Sequence, residues 1–268
     1  MVGVPARFEL LSTLGIEPTI GARLHAALAA ALDQAARRRP GDVAVLDAGC
    51  GRRSPLTPLR DRIDRLVGVD IHPPAGPLPY LDAFVAADLC GDSGAFPEAS
   101  FDLILSNFTL EHFLDPGAAM ANLYRWLRPG GSVVVTTVNR RHPFVALYLG
   151  LPSGPRRRLQ PIIKASAADA HPLVGACNSP AAVRSSLAAA GFERIELETV
   201  GNLGRAWGRR LPTFVLGAAG DVLAQRLPSR RSTILAVARK PAGAAGGAAG
   251  GASGGAAGGA SGGTAGAA

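Results

Sequence analysis

The 268-residue sequence has few of the residues on which several common protein classes depend. Its three cysteines are an odd number without paired spacing, which excludes a disulfide framework and gives no pattern for a structural metal site. Aromatic residues make up only 5% of the chain and are not interleaved with its basic runs, so a base-stacking surface for nucleic acid is not indicated. No apolar run approaches the roughly 18 residues that a membrane-spanning helix needs.

The first residues also lack the pattern of a secretory signal. They show no basic start followed by an apolar stretch and a small-residue cleavage site. We therefore expect a cytoplasmic protein. Peripheral association at the inner face of a membrane stays open because of the basic segments in the second half of the chain.

Charge is distributed unevenly between the two halves of the chain. Residues 1–138 carry 12 basic and 15 acidic side chains, whereas residues 139–240 carry 16 basic and 5 acidic ones. The basic half predicts an anionic partner. Segments such as 143–158 and 209–216 place apolar residues beside arginines, which suits the interface of an anionic membrane. Helices that pack over a sheet with solvated arginines at their ends would give the same pattern.

Composition and periodicity divide the chain into three parts. Residues 1–40 are predicted to form an N-terminal helical segment. Residues 41–240 alternate short apolar segments with helix-like or loop-like stretches, which predicts one α/β domain with insertions at about 140–178 and 202–232. Residues 241–268 are a tail of almost only glycine and alanine, which we expect to be disordered because nothing in it can pack a core.

Apolar patterns and turn signals predict the individual elements of the domain. Strands are predicted at 43–48, 66–71, 84–89, 101–106, 132–138, 195–200 and 233–238, and helices at 17–39, at 115–127 and from Ser179 to Gly191. Strands separated by helices favour a mostly parallel sheet with helices on both faces. In such sheets ligands bind at the carboxyl ends of the strands, so candidate site residues are sought there.

The strongest chemical signal follows the first predicted strand. The segment 45–51, VLDAGCG, ends a buried strand with an acid and then two glycines, whose missing side chains let the backbone approach a ligand closely. Dinucleotide-binding turns need a third glycine, but Arg52, Arg53 and Ser54 occupy the relevant positions. Asp47 would also repel a pyrophosphate, whereas it suits a ligand with an ammonium group. An NAD-dependent oxidoreductase is therefore disfavoured.

Together with four later segments, this turn resembles the class I S-adenosylmethionine-dependent methyltransferases. The later segments are VGVD at 67–70, ADL at 87–89, FDLILSN at 101–107 and LRPGG at 127–131. All five occur in the order typical of the family. The resemblance implies a Rossmann-like, seven-stranded, mostly parallel sheet with helices on both faces and an antiparallel last strand. It also implies S-adenosylmethionine as the cofactor, and no metal.

The resemblance further implies which residues bind the cofactor. These are Asp47, Gly49, Gly51, Asp70, Ile71, Asp88, Leu89 and Asn107. Asp70 would accept hydrogen bonds from both ribose hydroxyls, and Asp88 would accept one from the adenine amino group. Each acid has an alternative as a cap of the turn that follows its strand. Asp102 is expected to face solvent or to pair with a loop rather than to bind a ligand.

Methyl transfer requires alignment of the reactants more than acid–base chemistry. The cofactor carries its own leaving group, so the protein must mainly align and desolvate the two reactants. If the acceptor must lose a proton, His112 is the first candidate base because it follows the fourth predicted strand, and Glu111 is the neighbouring alternative. The pair could instead pack at the rim of the cofactor site without transferring a proton.

The expected function is methyl transfer, by in-line displacement, to a hydrophobic or anionic small molecule, lipid-linked acceptors included. The segment 107–110 lacks the Asn/Asp-Pro-Pro-aromatic signature of enzymes that methylate amino groups of adenine or glutamine. A non-catalytic module that binds S-adenosylmethionine, or that associates with membranes, is the alternative. The sequence leaves the acceptor atom and the oligomeric state open.

Overall fold

The computed structural model describes residues 4–16, 19–163, 177–208 and 210–243, which form a seven-stranded sheet with flanking helices. The strands are β1 (Ala44–Ala48), β2 (Arg65–Asp70), β3 (Ala83–Ala86), β4 (Phe101–Asn107), β5 (Leu127–Val138), β6 (Glu193–Val200) and β7 (Thr233–Arg239). Their order is β3-β2-β1-β4-β5-β7-β6. β7 runs antiparallel to β5 and β6, and the other neighbouring pairs are parallel. The predicted Rossmann-like fold is confirmed.

Helices cover both faces of the sheet. The helices of the described residues are α1 (Val4–Thr13), α2 (Ile20–Arg38), α3 (Pro116–Trp126), α4 (Pro143–Gly150), α5 (Ser153–Ile163), α6 (Pro180–Ala189), α7 (Leu203–Ala206) and α8 (Leu211–Ala224), of which α2, α3 and α6 pack on the sheet. One apolar cluster joins α3 and α6 to the sheet face that contains Leu46 and Ile104. A second joins α2 to the face that contains Val45 and Leu103. Because both faces are covered, β1 and β4 are buried along nearly their whole length rather than at alternate residues.

Helix α2 illustrates how local signals define an element. Its predicted span, 17–39, becomes Ile20–Arg38, and residues 17 and 18 lie outside the described part of the chain. The side chain of Thr19 caps the helix by accepting a hydrogen bond from the Ala22 N–H, 3.1 Å away. The buried residues are the ones whose helical spacing predicts them: Ile20, Leu24, Leu28, Ala31, Leu32 and Ala35.

Strand β5 begins five residues earlier than its pattern predicts, at Leu127 instead of Ser132. The Pro-Gly-Gly segment was expected to separate helix from strand, but it continues the strand in an irregular form. A Cβ on Gly131 would lie only 3.0 Å from the Asp102 carbonyl oxygen, so glycine permits this close pairing with β4. On the other side of β5, the Lys240 N–H donates a hydrogen bond to the Gly131 carbonyl at 3.0 Å.

Asp102 was expected either to face solvent or to pair with a loop, and because it is buried the first alternative is wrong. Its side chain is 2% exposed, and one carboxylate oxygen accepts a hydrogen bond from the Ala44 N–H at 3.0 Å. The same oxygen also accepts from the Arg128 guanidinium, while Arg39 lies 3.9 Å from the other oxygen. Asp102 therefore stabilises the amino ends of β1 and β4, at the opposite edge of the sheet from the candidate site.

Both insertions leave the sheet at its carboxyl edge. The first follows β5 and contains α4 and α5, and the second follows β6 and contains α7 and α8. Residues 164–176, Arg209 and residues 244–268 lie outside the described part of the chain, so the expected disorder of the tail does too. Among the residues that are described, no helix combines the length and the apolar character needed to cross a membrane.

Candidate active site

Sheet register brings the predicted site residues to one edge. β1 lies between β2 and β4, and Asp47 is opposite Gly68 on one side and Leu105 on the other. Asp70 ends β2 and Asn107 ends β4. The parallel strands therefore place three predicted cofactor-binding residues side by side at the carboxyl edge, where ligands of such sheets bind.

The turn after β1 requires glycine at two positions. Gly49 has a φ of +76°, and a Cβ there would lie 2.4 Å from the side chain of Thr109, in the loop after β4. Gly51 has a φ of +51°, and its N–H donates to Oδ2 of Asp70 at 3.1 Å. The turn thus lies against the ends of both neighbouring strands, and a Cβ at Gly51 would meet open space.

Asp47 is a buried carboxyl group that is only partly satisfied. It is 1% exposed, and the Ser54 side chain forms a hydrogen bond to it. No described residue forms a hydrogen bond with its Oδ2 atom. Burial raises the pKa of Asp47 to about 7, nearby Asp70 adds to this, and the Ser54 hydrogen bond opposes it. An unpartnered buried oxygen at a ligand-binding edge fits a ligand that donates a hydrogen bond, as an ammonium group does.

Asp70 is held in a fixed orientation by the backbone around it. Oδ2 accepts from the Gly51 N–H, and Oδ1 accepts from the His72 N–H at 3.0 Å. Each carboxylate oxygen can accept further hydrogen bonds, so the group remains able to bind a pair of hydroxyls. Ile71 follows with 58% of its surface exposed, at the position where an apolar side chain could cover a bound ring.

The structure of the segment 87–89, which was predicted to end the third strand, differs more from the prediction. β3 ends at Ala86, so Asp88 and Leu89 lie in the loop after it rather than in a strand. Oδ1 of Asp88 accepts from the Cys90 N–H at 2.8 Å, which is the turn-capping arrangement. Leu89 is 4% exposed and packs in the core, and its carbonyl accepts a hydrogen bond from the Asn122 side-chain amide at 2.9 Å, so its side chain is not available at this edge.

A strained residue follows β4, and the sequence pattern did not reveal it. Phe108 has a φ of +53°, a conformation that costs a non-glycine residue about 1–2 kcal/mol. Its N–H donates to Oγ1 of Thr136 at 3.0 Å, and that hydroxyl lies 2.8 Å from Oδ1 of Asn107 and donates to it. Such strain is concentrated at functional sites, and here it orients the loop that leads to His112.

His112 and Glu111 share the short helical turn Leu110–His112 but differ in environment. Glu111 is 3% exposed, and its carboxylate accepts a hydrogen bond from the Thr137 hydroxyl at 2.8 Å. His112 is half-buried, and its N–H donates to the Thr109 carbonyl at 2.9 Å. Glu111 therefore links this turn to β5 through its hydrogen bond with Thr137, and His112 is the more solvent-accessible of the two.

Tyr80 is a further residue that sequence analysis missed. It lies in the proline-rich connection between β2 and β3, and no described residue forms a hydrogen bond with its buried hydroxyl. Burial raises the pKa of Tyr80, and the charges of Asp47, Cys50 and Asp70 add to this effect. Cys50 is buried as well, and burial raises the pKa of its thiol to about 12, so it is an inert packing residue.

Residues 20–197, about two thirds of the chain, match a family described as a methyltransferase domain. The chain belongs to the class I S-adenosylmethionine-dependent methyltransferases. The cofactor of this family is S-adenosylmethionine. The buried Oδ2 of Asp47 and the glycine turn beside it fit the amino-acid end of that cofactor.

Several curated methyltransferases are similar to this chain. One is a nocamycin O-methyltransferase from Saccharothrix syringae, 32% identical over 59% of this chain and 61% of the relative. Another is a malonyl-[acyl-carrier protein] O-methyltransferase from Pseudescherichia vulneris, 36% identical over 38% of this chain and 40% of the relative. A ubiquinone biosynthesis O-methyltransferase from a Bradyrhizobium strain is 30% identical over 39% and 44%. The chain thus spans about half the length of these relatives.

Solved methyltransferase structures resemble the chain more distantly. An S-adenosylmethionine-dependent methyltransferase from Mesorhizobium loti is 22% identical and covers 80% of this chain and 96% of its own, with a TM-score of 0.47. A phosphoethanolamine N-methyltransferase from Haemonchus contortus, 16% identical, covers 79% and 52% with a TM-score of 0.48. The fold assignment rests on the strand order of this chain itself.

Proposed function

We propose that this methyltransferase transfers the methyl group of S-adenosylmethionine to an oxygen atom of a hydrophobic or anionic small molecule. The observation that carries the proposal is the unpartnered Oδ2 of buried Asp47 beside the glycine turn. The three relatives named above are all O-methyltransferases, which supports oxygen as the acceptor atom. Lipid-linked acceptors belong to the same proposal.

Four groups of residues would hold the cofactor. Asp47 would bind its ammonium group, and Gly49 and Gly51 would let the backbone approach its amino-acid end. Asp70 would accept from the ribose hydroxyls, with Ile71 against the ring. The remaining contacts are Asp88, the Leu89 backbone and Asn107.

Bound S-adenosylmethionine supplies an electrophilic methyl group on a sulfonium leaving group. The chain aligns the acceptor and excludes water from the reacting atoms. We assign His112 as the residue that accepts the acceptor's hydroxyl proton through its neutral imidazole. Glu111 is assigned a positioning role, because its buried hydrogen bond to Thr137 holds the His112 turn against β5.

A methyl-transfer assay tests this assignment. The full chain is incubated with cofactor labelled in the methyl group and with phenols, enols and carboxylic acids, some of them lipid-linked. We expect His112→Gln to lower kcat about a hundredfold or more without changing cofactor affinity. His25→Gln, at an exposed position on α2, is the matched control and should leave kcat unchanged.

Two results would contradict the proposal. Binding of S-adenosylmethionine without transfer to any acceptor would favour a non-catalytic module. Calorimetric binding of NAD in place of S-adenosylmethionine would reject the cofactor site itself.

A further inference from the structure

The outer face of α8 is apolar along its whole length. Five large apolar side chains on it have between 37% and 72% of their surface exposed: Leu211, Val215, Leu216, Val222 and Leu223. Pro212 and Ala219 are exposed between them. These positions fall on one arc of a helix with 3.6 residues per turn. A helix that is apolar on all sides normally has both of its faces covered.

The inner face of α8 is fixed in place by close packing. A Cβ on Gly217 would lie 2.7 Å from the Leu203 carbonyl oxygen of α7, and one on Gly220 would lie 2.7 Å from the ring of Phe144 in α4. Asp221 is the single charged residue of the helix, and it is 1% exposed. Its carboxylate accepts from the Gly204 N–H at 2.8 Å and the Ser232 hydroxyl at 3.0 Å. The helix therefore cannot rotate to bury its outer face.

Among the described residues, the two ends of α8 carry positive charge, although exposed Glu9 lies on α1, which packs against α8. Arg210 precedes α8 and Arg226 follows it, and both are exposed, as is Arg230. Between residues 199 and 240 the sequence contains no acidic residue except the buried Asp221. A partner that covers the face must therefore combine an apolar surface with negative charge at its margins.

We propose that the outer face of α8 docks on an anionic lipid surface, with the helix lying parallel to that surface. Its 14 residues span about 21 Å, so both flanking arginines would reach the headgroup level together. Helix α4 contacts α8, and its Leu147 is a further large apolar side chain with 68% of its surface exposed. Since both insertions leave the carboxyl edge of the sheet, docking brings the site edge to the lipid, where hydrophobic acceptors accumulate.

A second copy of the chain fits this face less well. In a two-fold symmetric pair, antiparallel α8 helices would place Arg210 of each copy near Arg226 of the other. The outer face of α8 carries no acid to compensate these like charges. Anionic lipid supplies the charge that a second copy lacks.

Vesicle flotation of the full chain tests the proposal. We expect binding to vesicles of equal parts phosphatidylglycerol and phosphatidylcholine, loss of binding in high salt, and weak binding to pure phosphatidylcholine. Each arginine at the surface strengthens binding about fivefold, so Arg210→Gln with Arg226→Gln should weaken it about twentyfold or more. The matched control, Arg37→Gln with Arg125→Gln, removes equal charge from the last turns of α2 and α3, at the opposite edge of the sheet, and should have much less effect.

Apolar substitutions distinguish lipid docking from self-association and from burial of the helix by the chain itself. Leu216→Ser with Leu223→Ser should weaken vesicle binding about tenfold or more, and the same leucines changed to Met should retain it. The melting temperature of the serine variant should stay within a few degrees of the parent, because both side chains are exposed. A large fall would show that the chain covers its own helix and would overturn the proposal. So would a dimeric parent that the serine variant converts to a monomer, or salt-independent vesicle binding.

Discussion

The pH dependence of cofactor affinity tests the assignment of Asp47 most directly. Burial raises the pKa of this carboxyl group to about 7, so about half of the molecules carry it protonated at neutral pH. A bound ammonium group requires the ionised form as its partner. The α-amino group of the cofactor, with an ordinary pKa near 8, stays mostly charged below neutral pH.

We expect the affinity for S-adenosylmethionine to fall about fiftyfold between pH 7 and pH 5. Over that range the ionised fraction of Asp47 falls from about one half to about one hundredth. The apparent affinity falls in proportion, because only protein with ionised Asp47 binds the cofactor. Titration calorimetry at each pH measures the constant. Repeating the titration in buffers of different ionisation enthalpy counts the protons released, which should approach one per site near pH 5.

Two variants identify the group responsible. Asp47→Asn should bind as weakly as the parent does at pH 5 and should show little change up to pH 8. The control is His72→Gln, because the His72 imidazole is the side chain that lies 3.8 Å from Asp70 at the same edge of the site. It should retain the pH dependence of the parent. A flat profile in the parent, or a slope that survives in Asp47→Asn, would refute the assignment.

Three further predictions concern binding and stability. Asp70→Ala should weaken cofactor binding about tenfold or more in calorimetry, and an unchanged affinity would reject the ribose assignment. Gly49→Ala should lower the free energy of unfolding by at least about 2 kcal/mol more than Gly51→Ala, because both have positive φ but only the first would clash with Thr109; equal losses in urea titration would contradict this. In the cofactor-free protein, the raised pKa of Asp47 means that its protonation stabilises the folded state; this contribution is fully present below pH 3.8 and is lost as the pH rises through about 7, so thermal melts of Asp47→Asn should lack this decline.

The elements that follow local rules were predictable. The cap of α3 at Asp115 depends on a side chain and an N–H three residues away, so it can be recognised in a short window. The cap of α2 at Thr19 is equally local, but the helix was predicted to begin at residue 17 instead. The turn after β1 was equally easy to recognise, because an acid followed by two glycines at the end of an apolar run is typical of few other structures. The order of the motif segments along the chain then indicated the sheet.

Features that depend on contacts between distant segments were not predictable. Asp102 is buried because Ala44, 58 residues away, presents an N–H to it. Tyr80 comes near Asp47 only through the connection that crosses from β2 to β3, and nothing in its neighbouring residues distinguishes it. Phe108 adopts its strained conformation because Thr136, on the neighbouring strand, accepts its N–H.

The sequence by itself determined the fold class, the cofactor family and the acids at the ends of β1 and β2, because these depend on residue types at short, regular spacing. Only the tertiary structure decided which acids are buried, which acids cap the turns that follow their strands, and which face of α8 is left uncovered. Burial and pKa depend on all the atoms around a group, and most of those atoms belong to residues far away along the chain.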